Sequence, residues 1–205
     1  MIDETIEYRN IIMRCDKVDE MAYRDLSSDM EIEFYSEGME SVWAEVQKKA
    51  GEFKGVSDAD IIKYFSERFG VSKSELFKRC IFMKEKTTGK YIGTCIAWFE
   101  PKGSENVSVV HWLAVADEYA GKGYARMLIT QILIIFKELG EADKIYLHTQ
   151  PSSYRAIKLY SDFGFCMCKK DTYDAAMNEY AEAIEVLRKY MKEEAFLKLV
   201  RMSME

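Results

Sequence analysis

Gly121 and Gly123 stand two residues apart in Ala120-Gly121-Lys122-Gly123-Tyr124-Ala125-Arg126. An apolar run precedes them, Val109-Val110-His111-Trp112-Leu113-Ala114-Val115, and Met127-Leu128-Ile129-Thr130-Gln131-Ile132-Leu133 opens a helix after them. A strand, a glycine loop and a helix N-terminus together make an anion site. Glycine lets the backbone come close to a ligand, and the first helical turn has N–H groups with no partner inside the helix. The ligand implied is a phosphate or diphosphate. Two other phosphate loops do not fit. No Gly-x-x-x-x-Gly-Lys-Ser/Thr run occurs, and in the dinucleotide pattern Gly-x-Gly-x-x-Gly the third glycine position is Arg126. A plain strand-to-helix turn would carry the same two glycines, so the loop alone leaves its purpose open.

The elements that must position this loop can be read from periodicity. Ile11–Cys15 reads as a short strand, and Glu31–Tyr35 alternates as a half-buried strand should. A helix follows over Met39–Ala50, with Val42, Trp43, Val46 and Ala50 at helical spacing and Gly51 as its stop. Ser57 starts a second helix carrying Ile61, Phe65 and Phe69, which Gly70 ends, and Ser72–Phe77 adds a turn. Cys80–Glu85 and Tyr91–Phe99 form a hairpin around Thr87–Lys90, and Pro101–Ser104 turns the chain back into the strand Val107–Val115. Beyond the loop, Leu128, Ile132, Ile135 and Leu139 mark one helical face, and Gly140 closes that helix. Lys144–Gln150 is the next strand. Because a helix joins it to the strand before, it should lie parallel to that strand by a right-handed crossover. Pro151-Ser152-Ser153 caps a helix over Tyr154–Phe163, Gly164 ends it, and Phe165–Lys170 is a last strand. Tyr173–Met191 reads as one long amphipathic helix; Glu194–Met202 reads as helix, though its alternation also suits a strand. The order describes one mixed α/β (α+β) domain.

A second motif narrows the first. Ser153-Tyr154-Arg155-Ala156-Ile157-Lys158-Leu159-Tyr160-Ser161-Asp162-Phe163-Gly164-Phe165 resembles Asn-x-x-Ala-x-x-Leu-Tyr-x-x-x-Gly-Phe of the GNAT superfamily of acyl-CoA-dependent N-acyltransferases. The Ala120–Ala125 loop resembles that superfamily's diphosphate loop, and the two occur in the right order. The likeness covers roughly residues 30–170 and is to a bacterial-type branch of unassigned members. The N-terminal strand lies outside that core, and residues 171–205 form a helical C-terminal extension of the same single domain, 1–205. The resemblance implies a mixed central sheet with antiparallel N-terminal strands and a parallel, splayed strand pair, with helices on its flanks. It implies acetyl-CoA as co-substrate. Leu113, Ala114 and Val115 would then offer main-chain groups to pantetheine. Gly121, Lys122, Gly123, Tyr124, Ala125 and Arg126 would present N–H groups to the diphosphate. Two positions depart from the pattern. The first loop residue is Ala120, which removes a side chain but no backbone donor, and Ser153 replaces the asparagine with a shorter hydroxyl.

The implied reaction passes an acetyl group from a thioester to a primary amine, by direct attack in a ternary complex. It needs proximity, a neutral amine and a proton for the leaving thiolate. By resemblance Tyr160 is the general acid; as one aromatic among several it also suits a core. The two histidines, His111 and His148, fall on the two strands that should splay, so each is a candidate base and each is equally a buried strand histidine. On alternation, His111 shares a face with Leu113 and Val115. Glu33 and Glu37 could also reach an acceptor. Two rivals share the fold: a non-catalytic acyl-CoA-binding or sensing protein, and a transferase for a longer acyl chain.

Composition bounds the rest. The chain has 205 residues, 48% hydrophobic and 31% charged, and two prolines. The net charge of −6 argues against nucleic acid as a partner. Five cysteines without a Cys-x-x-Cys pair read as reduced packing residues of a cytoplasmic protein, and no metal pattern occurs. Met1-Ile2-Asp3-Glu4-Thr5 lacks the features of a signal peptide. The longest apolar stretch, Met127–Phe136, is too short to span a bilayer. The expected partner is a small-molecule or peptide amine, with no membrane role, and the protein is a monomer or homodimer.

Overall fold

Residues 5–205 are described by a computed structural model, so Met1–Glu4 of the acidic N-terminal stretch lie outside the described residues. In chain order the elements are β1 (Ile11–Cys15), β2 (Met30–Phe34), α1 (Glu40–Lys49), α2 (Asp58–Phe69), α3 (Lys73–Arg79), β3 (Cys80–Glu85), β4 (Tyr91–Lys102), β5 (Glu105–Val115), α4 (Tyr124–Glu138), β6 (Ile145–Thr149), α5 (Tyr154–Asp162), β7 (Cys166–Met167), α6 (Tyr180–Leu187) and α7 (Glu193–Arg201). The strands form one mixed sheet in the order β2-β3-β4-β5-β6-β1-β7. The chain packs as two units, and β4 and β5 each contribute to both.

The first unit comprises Arg24–Ala97 and His111–Ile135. β3 pairs antiparallel with β2 (Met30↔Glu85 to Phe34↔Ile81) and with β4 (Cys80↔Ile96 to Lys84↔Tyr91). Helix α2 begins where Ser57 Oγ accepts from the Asp60 amide at 3.2 Å, as the sequence signal requires. Trp43 of α1 and Phe65 and Phe69 of α2 are fully buried, so the apolar stripes of both helices face a core. Helix α4 seats against β4 at Gly93. A Cβ there would stand 2.8 Å from Leu128 Cδ1 and 3.0 Å from the Ala114 carbonyl, so only glycine allows this approach. That contact fixes the helix whose N-terminus follows the glycine loop.

The second unit comprises residues 5–23, Trp98–Val110 and Phe136–Glu205. The expected parallel pair is present: Ser108↔Ile145, Val109↔Tyr146 and Val110↔Leu147. β6 pairs on its other edge with β1, antiparallel, from Ile11↔Thr149 to Cys15↔Ile145. β1 also pairs with β7 through Met13↔Met167 and Arg14↔Cys166. The N-terminal strand, although it lies outside the stretch that resembles the superfamily, is thus an interior strand of the sheet. Ile11, Ile12, Met13 and Cys15 are completely buried, which is the pattern of a strand covered on both faces.

Three expectations are corrected in this unit. β4 runs through Pro101 to Lys102, so the turn is shorter than Pro101–Ser104. The last strand is only Cys166–Met167, because at Cys168 the partner becomes Met204, just after α7, in a single parallel bridge. The long helix over Tyr173–Met191 is reduced to α6. Residues 171–179 are instead an irregular segment held by side chains. Asn178 Nδ2 donates to the Cys168 and Asp171 carbonyls at 2.9 and 3.0 Å. The Asp174 amide donates to the Pro101 carbonyl at 3.0 Å, and both Asp174 carboxylate oxygens accept from the Gly103 amide at 3.1 Å. Residues 193–201 form helix α7, which settles the helix-or-strand alternative.

Candidate active site

Backbone geometry makes the glycine loop receptive to an anion. Gly121 and Gly123 have φ of 77° and 90°, in the left-handed region that a side chain disfavours. The Ala120 amide donates to the Asp117 carbonyl at 3.0 Å, and the Arg126 and Met127 amides both donate to the Gly123 carbonyl. Between them, no backbone carbonyl among the described residues accepts from the amides of Gly121, Lys122, Gly123, Tyr124 or Ala125. Five consecutive N–H groups at the start of a 15-residue helix lie at the positive end of its dipole. Arg126 differs from the expectation in one respect: its amide is taken up by the Gly123 carbonyl. Lys122 Nζ lies 5.0 Å over the Tyr119 ring.

The strand leading into the loop is bent. Trp112 has φ of 52°, rare for a bulky residue and costing about 1–2 kcal/mol. Its conformation is held from two sides. Gln47 Nε2 of α1 donates to the Trp112 carbonyl at 3.0 Å. Its ring packs with Trp43, Phe53 and Tyr64, ring centroids 5.5, 5.1 and 5.7 Å away. Phe53, in the loop after α1, is also left-handed, with φ of 53°. The bend at Trp112 interrupts the pleat, so the regular alternation expected for His111, Leu113 and Val115 does not carry through it. The Ala116 amide donates to the Ile92 carbonyl at 2.8 Å and ties the end of the strand to β4. His111 is half-buried, with its ring edge-on to Phe69 at 6.0 Å.

One residue that the sequence did not single out belongs to this region. The guanidinium of Arg24, in the segment before β2, sits against Gly123, its Cζ 2.8 Å from where a Cβ would stand. No local signal marks Arg24, since it is about a hundred residues from the loop and in no motif. Glu52, beside Phe53, is likewise in no motif; burial holds its carboxyl above the usual range. Glu33 accepts from Tyr91 at 2.8 Å, and Glu37 from Lys73 at 2.9 Å.

In the second unit, Tyr160 is buried on α5, its ring 6.1 Å from Phe165. Ser153 precedes α5, and its hydroxyl makes no capping bond to the helix. His148 is exposed, with Nε2 2.8 Å from Asn10 Oδ1; the Asn10 amide in turn donates to Glu179 at 2.9 Å. The cysteines behave as packing residues: burial pushes the Cys15 and Cys168 thiols up to about 12, and Cys80 and Cys95 upward as well.

The profile of the acetyltransferase (GNAT) family matches residues 32–165. The chain belongs to this family. Solved structures agree in fold. A GCN5-related N-acetyltransferase from Sphaerobacter thermophilus superposes with a TM-score of 0.56 at 16% identity, over 78% of this chain and 50% of that one. A GNAT-family acetyltransferase from Colwellia psychrerythraea gives 0.57 at 10%, over 81% and 55%. A tandem GNAT protein from the clavulanic acid biosynthesis pathway gives 0.56 at 12%, over 80% and 51%. This GNAT chain therefore spans about half the length of these solved structures. No curated protein matches it in sequence. Among the described residues, no helix is long and apolar enough to cross a membrane, and no group of three His, Cys, Asp or Glu could hold a metal ion.

Proposed function

We propose that this GNAT protein is an N-acetyltransferase that moves the acetyl group of acetyl-CoA to a primary amine by direct attack in a ternary complex. The observation that carries the reading is the row of five unaccepted amides from Gly121 to Ala125 at the start of α4. Those amides fit a diphosphate, which brings two negative charges and several acceptor oxygens to one helix end. Leu113, Ala114 and Val115 are proposed to hold pantetheine through main-chain groups, and the Ser153 hydroxyl to add a polar contact.

Acetyl-CoA supplies the activated thioester carbonyl. In the transfer a C–N bond forms and the C–S bond breaks, the amine loses one proton and the leaving sulfur gains one. We assign the sulfur's proton to the Tyr160 hydroxyl. The amine's proton passes to a base, for which His111 and His148 are the candidates; half-burial beside Phe69 makes His111 the one sheltered from bulk water. The acceptor is a small-molecule or peptide amine.

Calorimetry with acetyl-CoA tests the coenzyme half of the reading, and absence of binding at millimolar concentration would remove it. Thiol release over amines, polyamines, amino acids, aminoglycosides and peptide N-termini tests the transfer. Coenzyme binding with silence across that panel would favour a binding protein over an enzyme. Once an acceptor is found, Tyr160→Phe should lower kcat by about a hundredfold and move the alkaline limb of the pH profile. An unchanged kcat would remove Tyr160 as the acid.

A further inference from the structure

We propose that Arg24 is a coenzyme-binding residue, placing its guanidinium on the diphosphate held by the Gly121–Ala125 amides. The proposal rests on the acetyl-CoA reading above and assigns a side chain from outside the family-matched residues 32–165.

Three observations lead to it. The first is the position of the guanidinium. Its Cζ and Nε stand 2.8 and 3.5 Å from the place of a Gly123 Cβ, with Nη1 nearer still. The left-handed φ of Gly123 and its missing side chain are thus what let the arginine reach the loop.

The second is that this position is built rather than incidental. The Arg24 amide donates at 3.1 Å to Oγ1 of Thr130, a buried residue of α4 whose hydroxyl donates at 2.9 Å to the Arg126 carbonyl. The chain is therefore anchored two turns into α4, and the side chain runs back along the helix toward its N-terminus.

The third is charge. Among the described residues no carboxylate pairs with the Arg24 guanidinium, and the residue is exposed. An unneutralised cation sits at the positive end of a 15-residue helix, against Gly123 of a loop whose sequence also carries Lys122 and Arg126, in a chain of net charge −6. Such an arrangement is electrostatically unfavourable until an anion joins it. An arginine fork suits a phosphate better than a lysine point charge does, because it can give two parallel N–H donors. Ala120, the first residue of the loop, has no polar side chain to provide this contact.

The test is calorimetry on the full chain with acetyl-CoA and with acetyl-dephospho-CoA, which keeps the diphosphate and lacks the 3′-phosphate. Arg24→Ala should weaken both ligands equally, by about tenfold or more, with Arg24→Lys in between. A thermal melt of each unliganded variant should match wild type, which separates a binding effect from a folding one. Unchanged affinity in Arg24→Ala would overturn the proposal. Tighter binding would overturn it too, since the guanidinium would then be an obstruction on the loop. An effect confined to acetyl-CoA would move the contact to the 3′-phosphate and overturn the assignment to the diphosphate. Wild-type protein that binds neither ligand would overturn the acetyl-CoA reading itself, a failure visible before any variant is made.

Discussion

Two irregular segments of this protein use their polar groups in opposite ways. Residues 120–126 leave five amides without a carbonyl acceptor, gather cations and hold two left-handed glycines. Residues 171–179 are tied down. Asp171 accepts from Tyr146 at 2.8 Å and from Arg14 at 2.5 Å and pairs with Lys102, and Asn178 and Asp174 fix the backbone on either side. Unmet hydrogen-bonding capacity costs free energy unless water or a ligand meets it, whereas a satisfied segment contributes stability. The first segment is therefore where binding should be lost by mutation, and the second is where stability should be lost.

The largest separation is expected from Gly123→Val. A β-branched residue at φ of 90° is strained, and its side chain would run into the Arg24 guanidinium. Acetyl-CoA affinity should fall by about a hundredfold in calorimetry, while the strain of about 1–2 kcal/mol lowers the melting temperature by only a few degrees. A large melting shift with affinity retained would reverse the roles of the two segments.

Asp171→Asn should do the opposite, costing about 2 kcal/mol in urea unfolding with coenzyme affinity unchanged. Burial alone would raise the Asp171 pKa, but bonds from Lys102, Tyr146 and Arg14 hold it down, to about 2. A depressed carboxylate pKa contributes stability that is complete above its unfolded value near 4 and drains as pH falls toward 2. Wild type should therefore lose stability more steeply than Asp171→Asn across pH 4 to 2. Parallel curves would show that the carboxylate's charge is not what holds the segment.

Asn178→Ala should give the smallest effect, about 1 kcal/mol. It removes two bonds to carbonyls but also removes Asn178 Oδ1, a buried oxygen without a partner. A cost above that of Asp171→Asn would make the asparagine, not the ion cluster, the main clasp.

The contrast also explains what the sequence could tell. The loop and α4 were legible because glycine conformation and helix periodicity are local, and α2 was legible through the Ser57 cap. The segment 171–179 was not. Met177, Tyr180, Ile184 and Leu187 keep a helical spacing across it, yet Met177 is exposed and the backbone is captured by Pro101, Gly103 and Cys168, contacts far away in sequence. Arg24 was invisible for the same reason. The bend at Trp112 was hidden because nothing in a run of apolar residues marks a left-handed tryptophan; the carbonyl bond from Gln47 and the rings around it hold it there. The interior place of β1 follows from pairings with β6 and β7, more than a hundred residues later.

The proposed coenzyme loop can be watched amide by amide. In a titration of 15N-labelled protein with acetyl-CoA, followed by proton–nitrogen correlation spectra, the resonances of Gly121, Lys122, Gly123, Tyr124 and Ala125 should shift together and saturate at one equivalent, while those of residues 171–179 stay in place. Saturating shifts elsewhere with the loop amides unmoved would contradict the assignment of the coenzyme to this loop.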